Sequence, residues 1–277
     1  MRGQWIGGEL RKLREAAGLT LAEVADYLSV KHQTTISRYE TGVLPMPWPE
    51  VDVLLTLYGL SDQERRDELI AMAKEAWRKG WYEEYRDVVG GKRFLDAVWL
   101  ESRARQIRAF SLGFLPGAWQ TADYMAALFR DDPHMDEGKV ARAIELRRAR
   151  QQVLKQARNI TFSLLMSEAV LHQRVGGSTV MAGQLNHLLA AAAEGRLSLK
   201  VLPFAAPVYR GLAGDFTLFD LSEPFTEVAY VENFAGTSYV ESPLVDRFVR
   251  AYDDMDGAAL SAAASVRAVE EAIKGMT

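Results

Sequence analysis

The chain has 277 residues, 48% hydrophobic and 25% charged, with a formal net charge of −4, the composition of an ordinary globular protein and a length that favours two domains over one. The absence of cysteine excludes disulfides, Cys-ligated zinc and thiol nucleophiles, and it suits a reducing cytoplasm. No apolar run of about 18 residues is present, so no membrane span is expected, and the opening MRGQWIGGELRK lacks the apolar core of a signal peptide.

Ile6, Leu10, Leu13 and Ala17 share one face of a first helix. Gly18 stops it, because glycine readily takes the left-handed conformation of a helix end. Thr20 caps a second helix, with Glu23 at the capping-box position. Leu21, Val24, Ala25 and Leu28 form its stripe, and a break follows at Ser29-Val30. A third helix runs from about Gln33 to Glu40, anchored by Ile36 and Tyr39 and ended by Gly42. Two short helices across a tight turn form a helix-turn-helix, whose second helix can enter a DNA major groove.

The outward residues of the third helix are Gln33, Thr34, Thr35, Ser37 and Arg38. Gln pairs well with adenine, Arg with guanine or phosphate, and the Thr methyl with thymine. Lys31 and His32 precede them, where phosphates would pass. Thr20 opens a helix whose free N–H groups can also hold a phosphate. Arg11, Lys12 and Arg14 add charge to the first helix. A polar helix face is the ordinary condition of a soluble bundle, so the weight lies on the pattern as a whole.

That pattern, closing in Thr35-Ile36-Ser37-Arg38-Tyr39-Glu40-Thr41-Gly42, resembles the Xre/lambda-repressor-like helix-turn-helix family. Leu21 stands where that family often places a Gln, and the turn before Ile36 is one residue longer than usual. The resemblance implies a five-helix DNA-binding domain. Residues 1–60 hold six Lys/Arg against seven Asp/Glu. Phosphate neutralisation supplies much of the affinity for DNA, so one such module should bind weakly. A homodimer engaging two half-sites is the expected remedy.

Val51, Leu54, Leu55 and Tyr58 give a fourth helix with Pro49 in its first turn. A fifth carries Leu69, Met72, Ala73 and Ala76, with Ser61 read as its cap. The helix-turn-helix domain is placed at 1–75 and a regulatory and dimerisation domain at 76–277, helical over 76–158 and a mixed sheet with helices over 159–277. Trp77, Trp81, Tyr82 and Tyr85 suggest a hinge over 77–92. Gly90-Gly91-Lys92 has no upstream glycine at P-loop spacing.

Leu95, Val98, Trp99, Ala104 and Ile107 suggest a helix over 94–109, followed by a Gly/Pro-broken loop over 111–120. Thr121 caps a helix to Phe129. A long basic helix over 138–158 has Val140, Ala143, Leu146, Ala149 and Val153 as its stripe. Arg142, Arg147, Arg148, Arg150, Lys155 and Arg158 line its other sides, as a solvated face or ion-pair rail, with a second phosphate-contacting surface as the lesser alternative. Ile160–Leu165 alternates as a strand does. A helix opened by Ser178 and a strand over 197–202 follow, implying parallel pairing. Strands near 215–220, 227–232 and 238–240 read as antiparallel. Ser242-Pro243 and Ser261 open the closing helices. The fold class is mainly α with an α/β C-terminal part: five helices, then helices and a small mixed sheet closed by C-terminal helices.

Residues 76–277 resemble a domain of unknown function that follows Xre-like helices in actinobacterial regulators. The carriers are Leu115-Pro-Gly-Ala-Trp-Gln-Thr-Ala-Asp-Tyr124, Glu145-Leu-Arg-Arg-Ala-Arg-Gln151, Glu168-Ala-Val-Leu171, Gln184-Leu-Asn-His-Leu188 and Gly214-Asp-Phe-Thr-Leu218. The resemblance implies control of development or secondary metabolism, and, in some relatives, a small partner protein in an antitoxin-like arrangement. Residues 201–277 hold twelve acids against five basic residues, a face that could meet a basic partner or, as is more common, simply be solvated.

The resulting function is a sequence-specific, cytoplasmic, double-stranded-DNA-binding regulator; the alternative is an antitoxin-like interaction module with DNA binding secondary. The candidate DNA contacts are Thr20, Lys31, His32, Gln33, Thr34, Thr35, Ser37 and Arg38. Trp119, Gln120, Tyr124, Arg147 and Phe216 are the candidate walls of a partner or ligand pocket. His32, His134, His172 and His187 show no metal-ligand spacing, and no catalytic motif is present. Neither an enzyme, nor a metal site, nor a cofactor is expected.

Overall fold

A computed structural model describes residues 2–77, 80–85, 92–130, 135–156, 160–207, 210–221, 227–233 and 236–276. Two compact units divide the chain, Met1–Trp81 and Tyr82–Thr277.

The first unit has five helices: α1 (Arg2–Ala16), α2 (Leu21–Tyr27), α3 (Gln33–Glu40), α4 (Trp48–Leu57) and α5 (Gln63–Trp77). Ile6, Leu10, Val24, Ala25, Ile36, Val51, Leu54, Leu55 and Leu69 bury the predicted faces, so the helical period sorted core from surface. Ala17 is an exception and is exposed beyond the end of α1. The Thr20–Glu23 capping box is present in both directions. Ser29 takes a positive φ of 55° in the turn before α3. Asp62, not Ser61, caps α5: its carboxylate accepts from Arg65 N at 3.3 Å, because the helix starts one residue later than the capping-box pattern implied.

Two glycines set how closely α1 approaches α3. A Cβ on Gly7 would lie 2.4 Å from the Tyr39 carbonyl oxygen, and one on Gly42 would lie 2.4 Å from Gln4 N. Gly42 also has a φ of +67°, so both space and backbone conformation demand glycine there.

In the larger unit, α6 (Lys92–Arg103) runs directly into β1 (Ala104–Ser111). Then come α7 (Ala122–Arg130), α8 (Glu137–Gln156), β2 (Thr161–Ser167), α9 (Glu168–His172), α10 (Ser178–Ala193) and β3 (Ser198–Leu202). The chain closes with β4 (Phe216–Leu221), β5 (Val228–Asn233), β6 (Gly236–Val240), α11 (Asp246–Ala258) and α12 (Ala262–Lys274). The six strands form one mixed sheet in the order β3-β2-β1-β4-β5-β6. β1, β2 and β3 pair in parallel, and β4, β5 and β6 continue antiparallel from β1.

The helix expected over 94–109 is therefore half strand. Ala104, Ile107, Ala109 and Phe110 are all buried, since a central strand is covered on both faces and loses the period-2 signature. The cap of α10 is Gly177 rather than Ser178, and α11 begins at Asp246 rather than at Ser242-Pro243. Of the expected hinge over 77–92, residues 78–79 and 86–91 lie outside the described residues. Trp77 is exposed and donates its indole N–H to the Met46 carbonyl at 2.6 Å, while Tyr82 and Tyr85 are buried.

α11 lies over the sheet, with Tyr252 and Met255 packed in one cluster with Phe110, Leu165, Leu202, Phe216, Leu218 and Ala229. The edge strand β3 is blunted by the closing helix. Val201 N donates to Ser265 Oγ at 2.9 Å, and Leu260 N donates to the Val201 carbonyl at 2.9 Å. Two groups that an open edge would offer to another strand are thus occupied.

Candidate nucleic-acid interface and ligand cavity

α3 is held from beneath by a buried ion pair. Arg14 of α1 donates Nε to Glu40 Oε1 at 2.6 Å and Nη2 to Glu40 Oε2 at 3.0 Å. Its Nη1 reaches the Leu19 carbonyl at 2.8 Å. The two side chains are only 10% and 6% exposed. The bond to Glu40 holds the Arg14 guanidinium above its ordinary pKa, against the opposing effect of burial. A bidentate pair fixes orientation as well as distance, so the pair sets the roll of α3 against α1.

This changes the expected role of the first helix. Arg14 is interior and bonded, Arg11 pairs with Glu15 at 2.8 Å, and Lys12 pairs with Glu9 at 2.7 Å. The positive charge read on this helix is compensated within the unit. The clue to Glu40 lay in its spacing, four residues after the buried Ile36 and hence on the inward face.

With its inner face committed, α3 turns the predicted edge outward. Lys31, His32, Gln33, Thr34 and Arg38 are exposed, and Thr35 and Ser37 are half-buried. Among the described residues, the side chains of Gln33, Thr34 and Arg38 make no internal hydrogen bond or ion pair. Eight residues make a helix of about 12 Å, a length that suits a major groove. Thr20 is exposed too, but its hydroxyl donates to Glu23 Oε2 at 2.8 Å and accepts from Glu23 N at 3.2 Å. A phosphate at that helix end would meet the Glu23 carboxylate.

Of the five expected pocket residues in the larger unit, Gln120, Arg147 and Phe216 meet on one cavity of about 490 Å³. It lies at the carboxyl end of β1, where the parallel half of the sheet joins the antiparallel half, the kind of place where open sheets bind ligands. The other two residues lie elsewhere. Trp119 lines a different cavity with His187 and Arg196. Tyr124 is fully buried, and its hydroxyl accepts from Leu115 N at 3.4 Å. Consecutive residues on the turn that precedes α7 point to opposite sides, which separates Trp119 from Gln120.

Two arginines of α8 face inward rather than along a solvated rail. Arg150 is buried and bidentate to Glu101 of α6, at 2.9 and 2.5 Å. This corrects its reading as part of the solvated sides: Arg150 follows Leu146 by four residues, a spacing that puts it on the apolar stripe. Arg147, one residue beyond Leu146, carries no carboxylate partner among the described residues. Its Nη1 donates to Gln120 Oε1, and its guanidinium lies 4.5 Å from the Phe129 ring centroid. Burial, and next the charge of Arg150, lower its pKa to about 10, so it stays cationic at neutral pH. Across the cavity, burial raises the Asp215 carboxyl while the N–H groups of Leu112, Gly113 and Phe114 oppose that rise.

No helix among the described residues is long and apolar enough to cross a membrane, and no cluster of side chains among them could hold a metal ion. In comparison with known protein families, residues 5–69 match a helix-turn-helix domain, and residues 94–271 match a domain of unknown function, DUF5753. No curated protein and no solved structure matches the chain. A match that spans most of the larger unit and more than half of the whole places the chain in the DUF5753 family, with a helix-turn-helix domain at its front.

Proposed function

We propose that the protein is a cytoplasmic, sequence-specific DNA-binding transcription regulator that acts as a homodimer. Its larger unit joins two copies and responds to a ligand or a partner protein. One observation carries the DNA reading: Gln33, Thr34 and Arg38 stand free on a helix whose inner face is tied down by Arg14 and Glu40. Free polar side chains on a rigid helix are what base readout in the major groove requires. Dimerisation follows from charge, since six Lys/Arg against seven Asp/Glu in residues 1–60 leave one module little phosphate affinity. Gel-shift titration on the promoter of its own gene tests the reading. The wild-type chain should bind with a two-fold footprint, and Arg38→Ala should lose most of that affinity. Equal binding by the two proteins would remove Arg38 from the interface.

The twelve acids against five basic residues in 201–277 support a second reading, capture of a small basic partner. Salt-sensitive co-purification of a small basic protein with the full chain tests it.

A further inference from the structure

The two neighbouring arginines of α8 are treated in opposite ways. Arg150 is neutralised by Glu101. Arg147 is held as firmly, but by neutral groups. Gln120 is 3% exposed, its Nε2 donates to the Leu115 carbonyl at 2.6 Å, and its Oε1 accepts from Arg147. Phe129 lies over the guanidinium. A Cβ added to Gly117 would sit 3.6 Å from Arg147 Nε, so the backbone there closes another side. An amide in that place orients the cation without cancelling its charge.

Arg147 lines the cavity of about 490 Å³, a volume typical of small-molecule sites, and among the described residues its Nη1 alone makes a hydrogen bond. Phe110, Phe216 and Phe219 supply an apolar wall. The acids on the lining have their own donors. Glu101 has Arg150, Asp215 takes the Leu112 N–H at 2.6 Å, and Glu232 takes the Tyr230 hydroxyl at 2.8 Å. Among the described lining residues, the Arg147 guanidinium is oriented by an amide and bonded to no carboxylate, and the charges of Glu232 and Glu101 reach it only from a distance. Arg147 is half-buried beside the cavity, and a planar fork of donors matches a carboxylate edge to edge.

We propose that this cavity receives a small molecule with an aromatic body and a single carboxylate, the carboxylate on Arg147 and the body against Phe110, Phe216 and Phe219. The inference deepens the sensory reading of the larger unit and rests on it.

The test uses the full chain without DNA, with 2-naphthylacetate as probe and 2-naphthylacetamide as its uncharged counterpart, followed by calorimetric titration and melting temperature. Naphthylacetate should bind and raise the melting temperature, and the amide should bind at least about tenfold more weakly, the scale of a lost charge-assisted hydrogen bond. Gln120→Glu places a carboxylate against Arg147, at the loss of the donation to the Leu115 carbonyl, and it should cut naphthylacetate affinity by at least about tenfold. Arg147→Met serves as a second variant and should do the same. Absence of naphthylacetate binding to the wild type overturns the proposal, as does equal binding of the amide or undiminished binding by both variants. Operator binding is read separately through Arg38→Ala, so failure here leaves the DNA reading to its own test.

Discussion

Arg14 in the smaller unit and Arg147 in the larger are both drawn into the protein, but their surroundings differ. Arg14 has its Nε and both terminal nitrogens engaged, two of them by Glu40. Nothing remains on it for an outside partner, and it serves to hold α3 still. Arg147 has an amide and an aromatic ring for company and keeps its charge. A saturated guanidinium acts as a structural tie, whereas an unsaturated one beside a cavity is available to a ligand. The two units thus divide labour: the smaller uses a buried arginine to hold α3 and offers polar side chains on that helix, and the larger keeps a cation bonded to no carboxylate at the end of a sheet.

The comparison breaks most visibly at Glu40. Glu40→Ala leaves Arg14 buried without its partner, and unpaired buried charges cost about 3–5 kcal/mol. Chemical denaturation should show a loss of that size in the transition of the smaller unit, and operator binding should fall with it. A loss below about 1 kcal/mol, the scale of an exposed pair, would mean that the pair is not what ties α3 down.

Next in size is the contrast between the neighbours on α8. Arg150→Met strands Glu101 in the interior and should cost about 3 kcal/mol. Arg147→Met removes a cation that is bonded to no carboxylate, so the change should stay within about 1 kcal/mol of zero. Denaturant midpoints of the two variants against the wild type measure the difference. Similar losses in both would place Arg147 among the structural residues.

Arg38→Ala should leave the stability of the smaller unit within about 0.5 kcal/mol of wild type, as exposed substitutions do. It should still cost about 1–3 kcal/mol of specific DNA binding. Parallel melting and gel-shift measurements separate the two effects.

The smallest effect belongs to His187. Burial, and then Lys155 and Arg196, lower its pKa below the usual 6.5, with Glu194 opposing them. The folded chain therefore takes up its proton at a lower pH than the unfolded chain. This contribution to stability is present above about pH 6.5 and is lost as pH falls from there toward the folded value. His187→Gln should flatten the stability profile in that acid window and leave it unchanged at pH 8. A profile identical to wild type through the window would remove His187 from this role.

Much of the smaller unit is legible in the chain because its signals are local. Gly18 and Gly42 end helices, Thr20 with Glu23 opens one, and the apolar period of Ile6, Leu10, Val24 and Ile36 marks the core. The larger unit hides more. β1 follows α6 without a loop, and Ala104 and Ile107 continue the spacing of Val98 and Trp99 well enough to resemble one helix. β2 and β3 announce themselves by alternation, whereas β1 does not, since both of its faces are covered. The pocket expectation was half legible: Gln120, Arg147 and Phe216 converge, but the tight turn sends Trp119 to the other side from Gln120, and Tyr124 is buried on α7.

Taken alone, the amino-acid order determined most of the helix boundaries in the first 77 residues, though not the Ser61 cap, most of the apolar residues that face inward, and that a mixed sheet follows. Those properties arise from contacts a few residues apart, which periodicity and capping report directly. Only the tertiary structure decided that Arg14 would meet Glu40 across 26 positions and Arg150 would meet Glu101 across 49, leaving Arg147 between them with a glutamine. Whether a charge is cancelled or kept depends on what the fold brings within hydrogen-bonding distance, and sequence spacing carries no record of that distance.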